Sequence, residues 1–347
     1  MKASWRSLAV RIEKKKHVLF CREVTNMDLV RRFLRLNTIL AGMVLRRLPV
    51  AKLLVFLSAG LAMVFLVSCS ATCRKSTETV SSRMQNPFFP LCFEISDSRK
   101  RSLPEQVTMV RSLGFEGIGY PLWLDDSLDK NLKIIDNAGL GVCMLYTRIN
   151  INPSAGQAYD PRLTNLVSRL KGRSVTICVL LQGLPPADAR GEAKAVAILR
   201  ELGNLASDAG LRISVYHHKN DWTESLLFAL KVVEKVNHPD VGVNFNLCHW
   251  LMVDGDKDYQ PVLRQNSAKI FLVTLNGASM GAKAWTNGLI QPLDQGDFDN
   301  GQLLKVLREI NYRGPIGLMC YGIPGNALEH LSCSMKAWQK LKAFEDR

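Results

Sequence analysis

From Phe88 onward the chain repeats one unit eight times in about 260 residues: a short apolar run followed by a longer amphipathic one. "FPLCFEI" (89–95) precedes "LPEQVTMVRSLG", "FEGIGY" (115–120) precedes "LDDSLDKNLKIIDNAGL", and "GVCMLYT" (141–147) precedes a helix expected near 160–171. "SVTICVLL" (174–181) then leads into 189–210, "RISVYHH" (212–218) into 222–237, and "VGVNFNL" (241–247) into 257–266. "IFLVTLN" (270–276) and "IGLMCYG" (316–322) lead into helices expected over 300–311 and 326–342. The longer runs place apolar residues at i, i+3, i+4 and stop near glycines, the usual left-handed helix terminators. Strands apolar on both faces that alternate with helices require parallel pairing, right-handed crossovers and helical cover. Eight such units predict an α/β fold, a (β/α)8 barrel over 88–347. The alternative, an open doubly wound sheet, lacks a GxGxxG after its first strand.

The formal charge of +14 suggests a nucleic-acid partner until the charges are located. Of 45 Lys and Arg, 13 lie in residues 1–68 with 3 of the 31 Asp and Glu, leaving 32 basic against 28 acidic residues for the rest. The remainder is near balance, so no nucleic-acid partner is expected. The N-terminal charge has its own explanation. Arg46, Arg47 and Lys52 precede an apolar run from Leu53 to Val67, and small residues follow, the layout of a secretory signal. The run is short against the ~20 residues of a membrane span. Residues 1–68 therefore read as a signal or anchor region, with Met43 a candidate start. Leu66-Val67-Ser68-Cys69 resembles the bacterial lipobox, which implies lipidation of Cys69 and a membrane-anchored, extracytoplasmic protein on the periplasmic face. An uncleaved N-terminal anchor is the alternative.

The Ser- and Thr-rich stretch 69–87 reads as a linker between anchor and barrel. Cys73, Cys92, Cys143, Cys178, Cys248, Cys320 and Cys333 form no CxxC pair and have no regular spacing. Several fall at strand ends, so buried free thiols are expected rather than a disulfide framework or a zinc site.

A barrel places its site at the C-terminal ends of its strands. The residues expected there are Glu94, Tyr120, Tyr146, Gln182, Tyr216, His217, His218, Asn246, His249, Asn276, Gln291 and Tyr321, with Trp250 beside His249. Amides, aromatics and histidines supply both donors and acceptors, which suits the hydroxyls of a carbohydrate or polyol. Any one of them can equally satisfy loop backbone groups. His217, His218 and His249 follow two adjacent strands, and that clustering makes them the candidate catalytic residues. Asp254, Asp256 and Asp258 alternate like the start of a calcium loop, but Gly255 and Gln265 break the pattern, so helix capping is expected instead. Asp297, in "QGDFDNG", is expected at the rim without a catalytic role.

"LGFEGIGY", "LGNLASDAGLRISVYHH", "VGVNFNLCHW", "IQPLDQGDFD" and "YRGPIGLMCYG", in that order over residues 88–342, resemble the sugar phosphate isomerase/epimerase family with a xylose isomerase-like TIM barrel. The resemblance implies one divalent metal, Mg or Mn, held by a Glu, an Asp, a His and a final Glu at the ends of the last four strands. The metal polarises substrate oxygens while the two glutamates move a proton between adjacent carbons. In this sequence those positions fall at Tyr216, Asn246, Thr274 and Met319, and none of the four ligand types is retained. Neutral oxygens and a thioether suit Mg or Mn poorly, so no cofactor is expected at the family site. His249, in contrast, stands where the family carries a substrate-contacting His three residues after the Asp.

Three readings follow. The barrel has lost isomerase chemistry and binds or transforms a carbohydrate; or it is a divalent-metal-dependent sugar isomerase or epimerase using other ligands, with His217, His218, His249 and Glu94 the candidates; or it is a non-catalytic lipid-anchored scaffold. No phosphate-gripping Gly-rich loop or Arg cluster stands at the strand ends, which favours unphosphorylated glycans.

Overall fold

The computed structural model describes residues 84–286 and 288–343. The signal or anchor region, Cys69, Cys73 and the linker up to residue 83 lie outside the described residues.

The eight strands are β1 (Phe88–Leu91), β2 (Gly117–Pro121), β3 (Gly141–Asn150), β4 (Thr176–Gln182), β5 (Arg212–Tyr216), β6 (Val241–Asn246), β7 (Ile270–Leu275) and β8 (Ile316–Met319). They pair in sequence order, all parallel, and β1 pairs with β8 to close the barrel. This is the (β/α)8 architecture expected. The helices are α1 (Leu103–Ser112), α2 (Ser127–Asn137), α3 (Arg162–Arg169), α4 (Glu192–Ala209), α5 (Leu226–Val236), α6 (Leu247–Val253), α7 (Tyr259–Gln265), α8 (Asn300–Glu309) and α9 (Ala327–Ala343).

Local chemistry sets the element ends. Ser102 and Glu105 form a capping box at α1, and Ser225 and Asp299 accept from the first-turn amides of α5 and α8. Gly210, in the left-handed region at φ 70°, ends α4. Asp258 caps α7, while the buried Asp254 takes the Leu226 amide at the head of α5 and the Ser225 hydroxyl. Two of the three alternating aspartates, Asp254 and Asp258, are thus helix caps, while Asp256 is exposed beside Lys257.

Inside the barrel, β1 carries the bulk and its neighbours make room. Phe89 lies opposite Gly317 on β8 and Leu91 opposite Gly119 on β2. A Cβ at Gly317 would come within 2.9 Å of the Phe89 ring, and one at Gly119 within 2.8 Å. Outside, Phe88 stacks on Trp338 of α9 with ring centroids 4.1 Å apart, tying the last helix to the first strand.

Three boundaries differ from expectation. β1 and β8 are shorter than their apolar runs, and just beyond β1 Cys92 turns to a positive φ of 59°. β3 runs three residues past 147, held by pairing of Arg148, Ile149 and Asn150 with β4. The barrel body begins before Phe88: Met84 is buried, and the Asn86 amide donates to the Tyr312 and Gly314 carbonyls, so 84–87 packs as part of the fold rather than as tether. Among the described residues the cysteines are free, all buried except the exposed Cys333.

Candidate functional site

A cavity of about 370 Å³ opens at the C-terminal ends of the strands, within the size range of a small-molecule site. Its floor is apolar, built by Leu91, Met144, Leu180 and Met319 from β1, β3, β4 and β8. Its polar wall is Tyr146, Arg148, Tyr216, His218, Lys219, Asn220, His249 and Tyr321, and Trp285 of the β7–α8 loop closes one side.

The centre of that wall is a pair of histidines. His218 follows β5, and His249 lies in α6, which begins directly after β6 instead of being part of a loop leading to residue 257. Their ring centroids are 4.2 Å apart, and His249 also packs against Trp285 at 4.9 Å and Tyr216 at 5.8 Å.

The backbone of one residue, Lys219, orients both rings. The Lys219 N–H donates to His249 Nδ1 at 3.2 Å, so neutral His249 carries its proton on Nε2. The Lys219 carbonyl lies 2.9 Å from His218 Nδ1 and can only accept, so His218 carries its proton on Nδ1 and keeps a lone pair on Nε2. The two rings therefore offer opposite functions, a donor on His249 and an acceptor on His218. Burial holds both below the usual histidine range, and His249, with His218 and His217 beside it, well below. Burial thus favours the uncharged form of both rings.

Behind His218 stands Asp221, its Oδ2 3.7 Å from His218 Nδ1 and its Oδ1 accepting from Gln182 Nε2 at 2.8 Å. Burial raises the Asp221 carboxyl, opposed by His218, and the Asp221 charge in turn favours a proton on His218. An acceptor nitrogen backed by a carboxylate is an arrangement suited to taking a proton from a hydroxyl or a C–H.

Tyr146, Tyr216, His218, His249 and Tyr321, expected at the site from sequence, all line the cavity. Other residues expected there do not reach it. His217 is fully buried, its Nε2 accepting from the Asn246 N–H at 3.0 Å, which ties β5 to β6; burial lowers it to about 4. Asn246 is also fully buried: its side-chain amide donates to the Tyr216 hydroxyl and its Oδ1 accepts from the Cys248 thiol. Trp250 lies one position beyond His249 on α6, so it points to the core and packs on Phe245. Asn276 spends its amide on the Gly277 and Leu289 carbonyls, which brace the β7–α8 loop. Gln291 accepts from Ser279 and borders a second cavity of about 360 Å³ between that loop and α9. Glu94 is half-buried beside Cys92, Tyr120 and Tyr146, and burial raises its carboxyl toward the protonated form. Asp297 accepts from the Met280 N–H and serves as a loop brace.

Sequence reasoning missed Arg148, Lys219, Asp221 and Trp285. For Arg148 the signal was present: Met144, Tyr146 and Arg148 alternate along β3, and all three line the cavity. Ending the strand at 147 hid it.

The four positions at which the resemblance sets metal ligands do not suit a hard cation. Tyr216 and Asn246 are neutral and bonded to each other, Thr274 Oγ1 is buried, and Met319 contributes a thioether. Among the described residues no group of three or more His, Cys, Asp and Glu is placed to hold a metal ion.

A closed parallel barrel of eight strands with alternating helices defines the class of (β/α)8 proteins. Residues 107–337 match the family described as xylose isomerase-like TIM barrel, and the chain belongs to that family. Solved structures with the same fold include the probable 3-DHS dehydratase AsbF of petrobactin synthesis from Bacillus anthracis, 16% identical, covering 73% of this chain and 98% of that one at TM-score 0.58. The apo 3-keto-D-glucoside 4-epimerase from E. coli is 12% identical, covers 75% and 100%, and also reaches 0.58. The IolI protein with a bound zinc atom is 16% identical, covers 74% and 98%, and reaches 0.57. No curated protein sequence matches the chain.

Proposed function

We propose that this barrel binds a carbohydrate or polyol in its C-terminal cavity, with no resident divalent metal, and that His218 and His249 act on the ligand's hydroxyls as acceptor and donor. The observation that carries this reading is the Lys219 backbone, whose N–H and carbonyl set opposite tautomers on two uncharged rings 4.2 Å apart. A hydroxyl is both donor and acceptor, so a sugar satisfies the two nitrogens together. Tyr146, Tyr216 and Tyr321 extend the polar wall, and the apolar floor suits the C–H face of a pyranose. Asp221 supports His218 as the proton acceptor if a bond to carbon or oxygen is broken. The epimerase and dehydratase names among the similar structures agree with a sugar-sized, oxygen-rich ligand.

In the same proposal residues 1–68 are a signal or anchor region, residues from 69 into the low 80s are a tether, and Cys69 carries the lipid that holds the barrel at an extracytoplasmic membrane face.

The test is metal analysis and sugar-binding calorimetry on the purified full chain, with and without chelator. The expected result is less than stoichiometric metal, sugar binding indifferent to chelator, and a loss of ~10-fold in affinity for His249→Ala, as for removal of a hydrogen bond to a buried group. A stoichiometric divalent ion that is lost in His249→Ala, with binding lost alongside it, would establish the metal-dependent isomerase instead.

A further inference from the structure

The cavity wall carries charge of one sign. Its ionisable lining consists of Arg148 and Lys219, the two neutral histidines, the three tyrosines and the cysteines Cys92 and Cys248, with no Asp or Glu. Lys219 Nζ is already paired with Glu224 at 3.0 Å. Arg148 is exposed at the mouth and forms no ion pair or hydrogen bond with any described residue. The surrounding carboxyls do not neutralise it at contact distance. Asp221, bonded to Gln182, feels the Arg148 charge along with His218 and Tyr146, and Glu94 stands behind Cys92 and Tyr146. Arg148 owes its position to the extra length of β3, whose pairing with β4 continues through Arg148, Ile149 and Asn150.

A guanidinium held at the rim of a neutral sugar-sized cavity is a recognition element for an oxyanion, because its paired N–H groups match two oxygens of one group. We propose that the ligand of this cavity is an acidic sugar whose carboxylate or phosphate is bound by Arg148 while its hydroxyls meet His218 and His249. The inference rests on the carbohydrate reading above and names its substrate class. A single guanidinium, without a glycine-rich loop beside it, fits a carboxylate, as in a uronic acid; a phosphate ester shares the same anion chemistry.

The experiment compares D-glucuronate, D-glucose 6-phosphate and D-glucose by calorimetry on the full chain, in wild type, Arg148→Gln and Arg148→Lys, at low and moderate salt. An acidic sugar is expected to bind ~10-fold or more tightly than glucose, with a preference that shrinks as salt rises. Arg148→Gln brings the acidic sugars down to the affinity of glucose, and Arg148→Lys restores part of the preference. Thermal unfolding of each variant checks that the barrel is intact; because Arg148 forms no ion pair or hydrogen bond with any described residue, the midpoint is expected to stay near the wild-type value. Tighter binding of glucuronate identifies a carboxylate and tighter binding of the 6-phosphate identifies a phosphate ester; either upholds the proposal. Equal binding of acidic and neutral sugars, or a preference that survives in Arg148→Gln, overturns it while leaving the carbohydrate reading in place. Absence of binding by all three sugars overturns both.

Discussion

His217 and His218 are neighbours with opposite fates, and the difference comes from strand alternation. Successive side chains of an extended segment face opposite ways, so His218 joins the cavity while His217 is carried into the β5–β6 junction. A buried neutral histidine has a thermodynamic signature. His217 is lowered from 6.5 to about 4 when folded, so between those values the unfolded chain binds a proton that the folded chain does not. Its stability is therefore full above pH 6.5, falls as pH drops through that range and levels off below about 4. The loss from His217 alone is on the order of 3 kcal/mol. Denaturant unfolding at pH 7 and pH 4.5 should show it, and His217→Gln, which keeps an acceptor for the Asn246 amide without titrating, should make the dependence shallower, the remainder coming from the other buried histidines, His218, His249 and His330. A slope unchanged in His217→Gln would place the acid sensitivity elsewhere. For the cavity pair, long-range ¹H–¹⁵N spectra at pH 7 should report His249 protonated on Nε2 and His218 on Nδ1. The same tautomer on both rings would remove the donor–acceptor pair.

At the scale of elements, the barrel closes around β1 because glycines on β2 and β8 admit its large side chains. Gly317→Val is expected to destabilise by about 1–3 kcal/mol through overpacking against Phe89 and Thr274. In a Phe89→Leu background the penalty should fall, since the two residues share one space, and a double-mutant cycle on denaturant midpoints measures that coupling. Strictly additive effects would mean that the two do not meet. Element type was legible from periodicity except at α6, whereas element ends were legible only where a local signal marks them. Gly210 ends α4 by its own backbone preference. Nothing local marks Asn150 as the end of β3, because pairing with β4, a tertiary contact, extends the strand. The same holds for α6: "LCHW" carries no helix-start signal, and Asn246, the residue before it, makes no capping bond with its side chain.

For the whole molecule, charge is nearly balanced after residue 68, and the basic, apolar N-terminal stretch is the part proposed above to anchor the barrel. In the native host, Cys69→Ala is expected to move the protein from the membrane pellet to the soluble fraction and to abolish fatty-acid labelling. Retention in the pellet with the N-terminal region intact would favour an uncleaved anchor.

Sequence alone determined the alternation of strand and helix, the parallel closed topology and the end of the barrel at which a cavity is found. These follow from local periodicity and from the few ways in which apolar strands and amphipathic helices can cover one another. It also set the expectation that a hard cation is poorly served at Tyr216, Asn246, Thr274 and Met319, since side-chain chemistry is written in the residue itself. Tertiary structure decided which strand-end residues share the cavity. Asn246, Asn276 and His217 were plausible ligand contacts until their partners were seen to be Tyr216, backbone carbonyls and a backbone amide. Buried polar groups take whichever partner the fold supplies, and that partner lies 29 residues from His217 and 13 from Asn276. The opposite tautomers of His218 and His249 were beyond sequence for the same reason: they depend on where the backbone of one residue, Lys219, is held between two strands' ends.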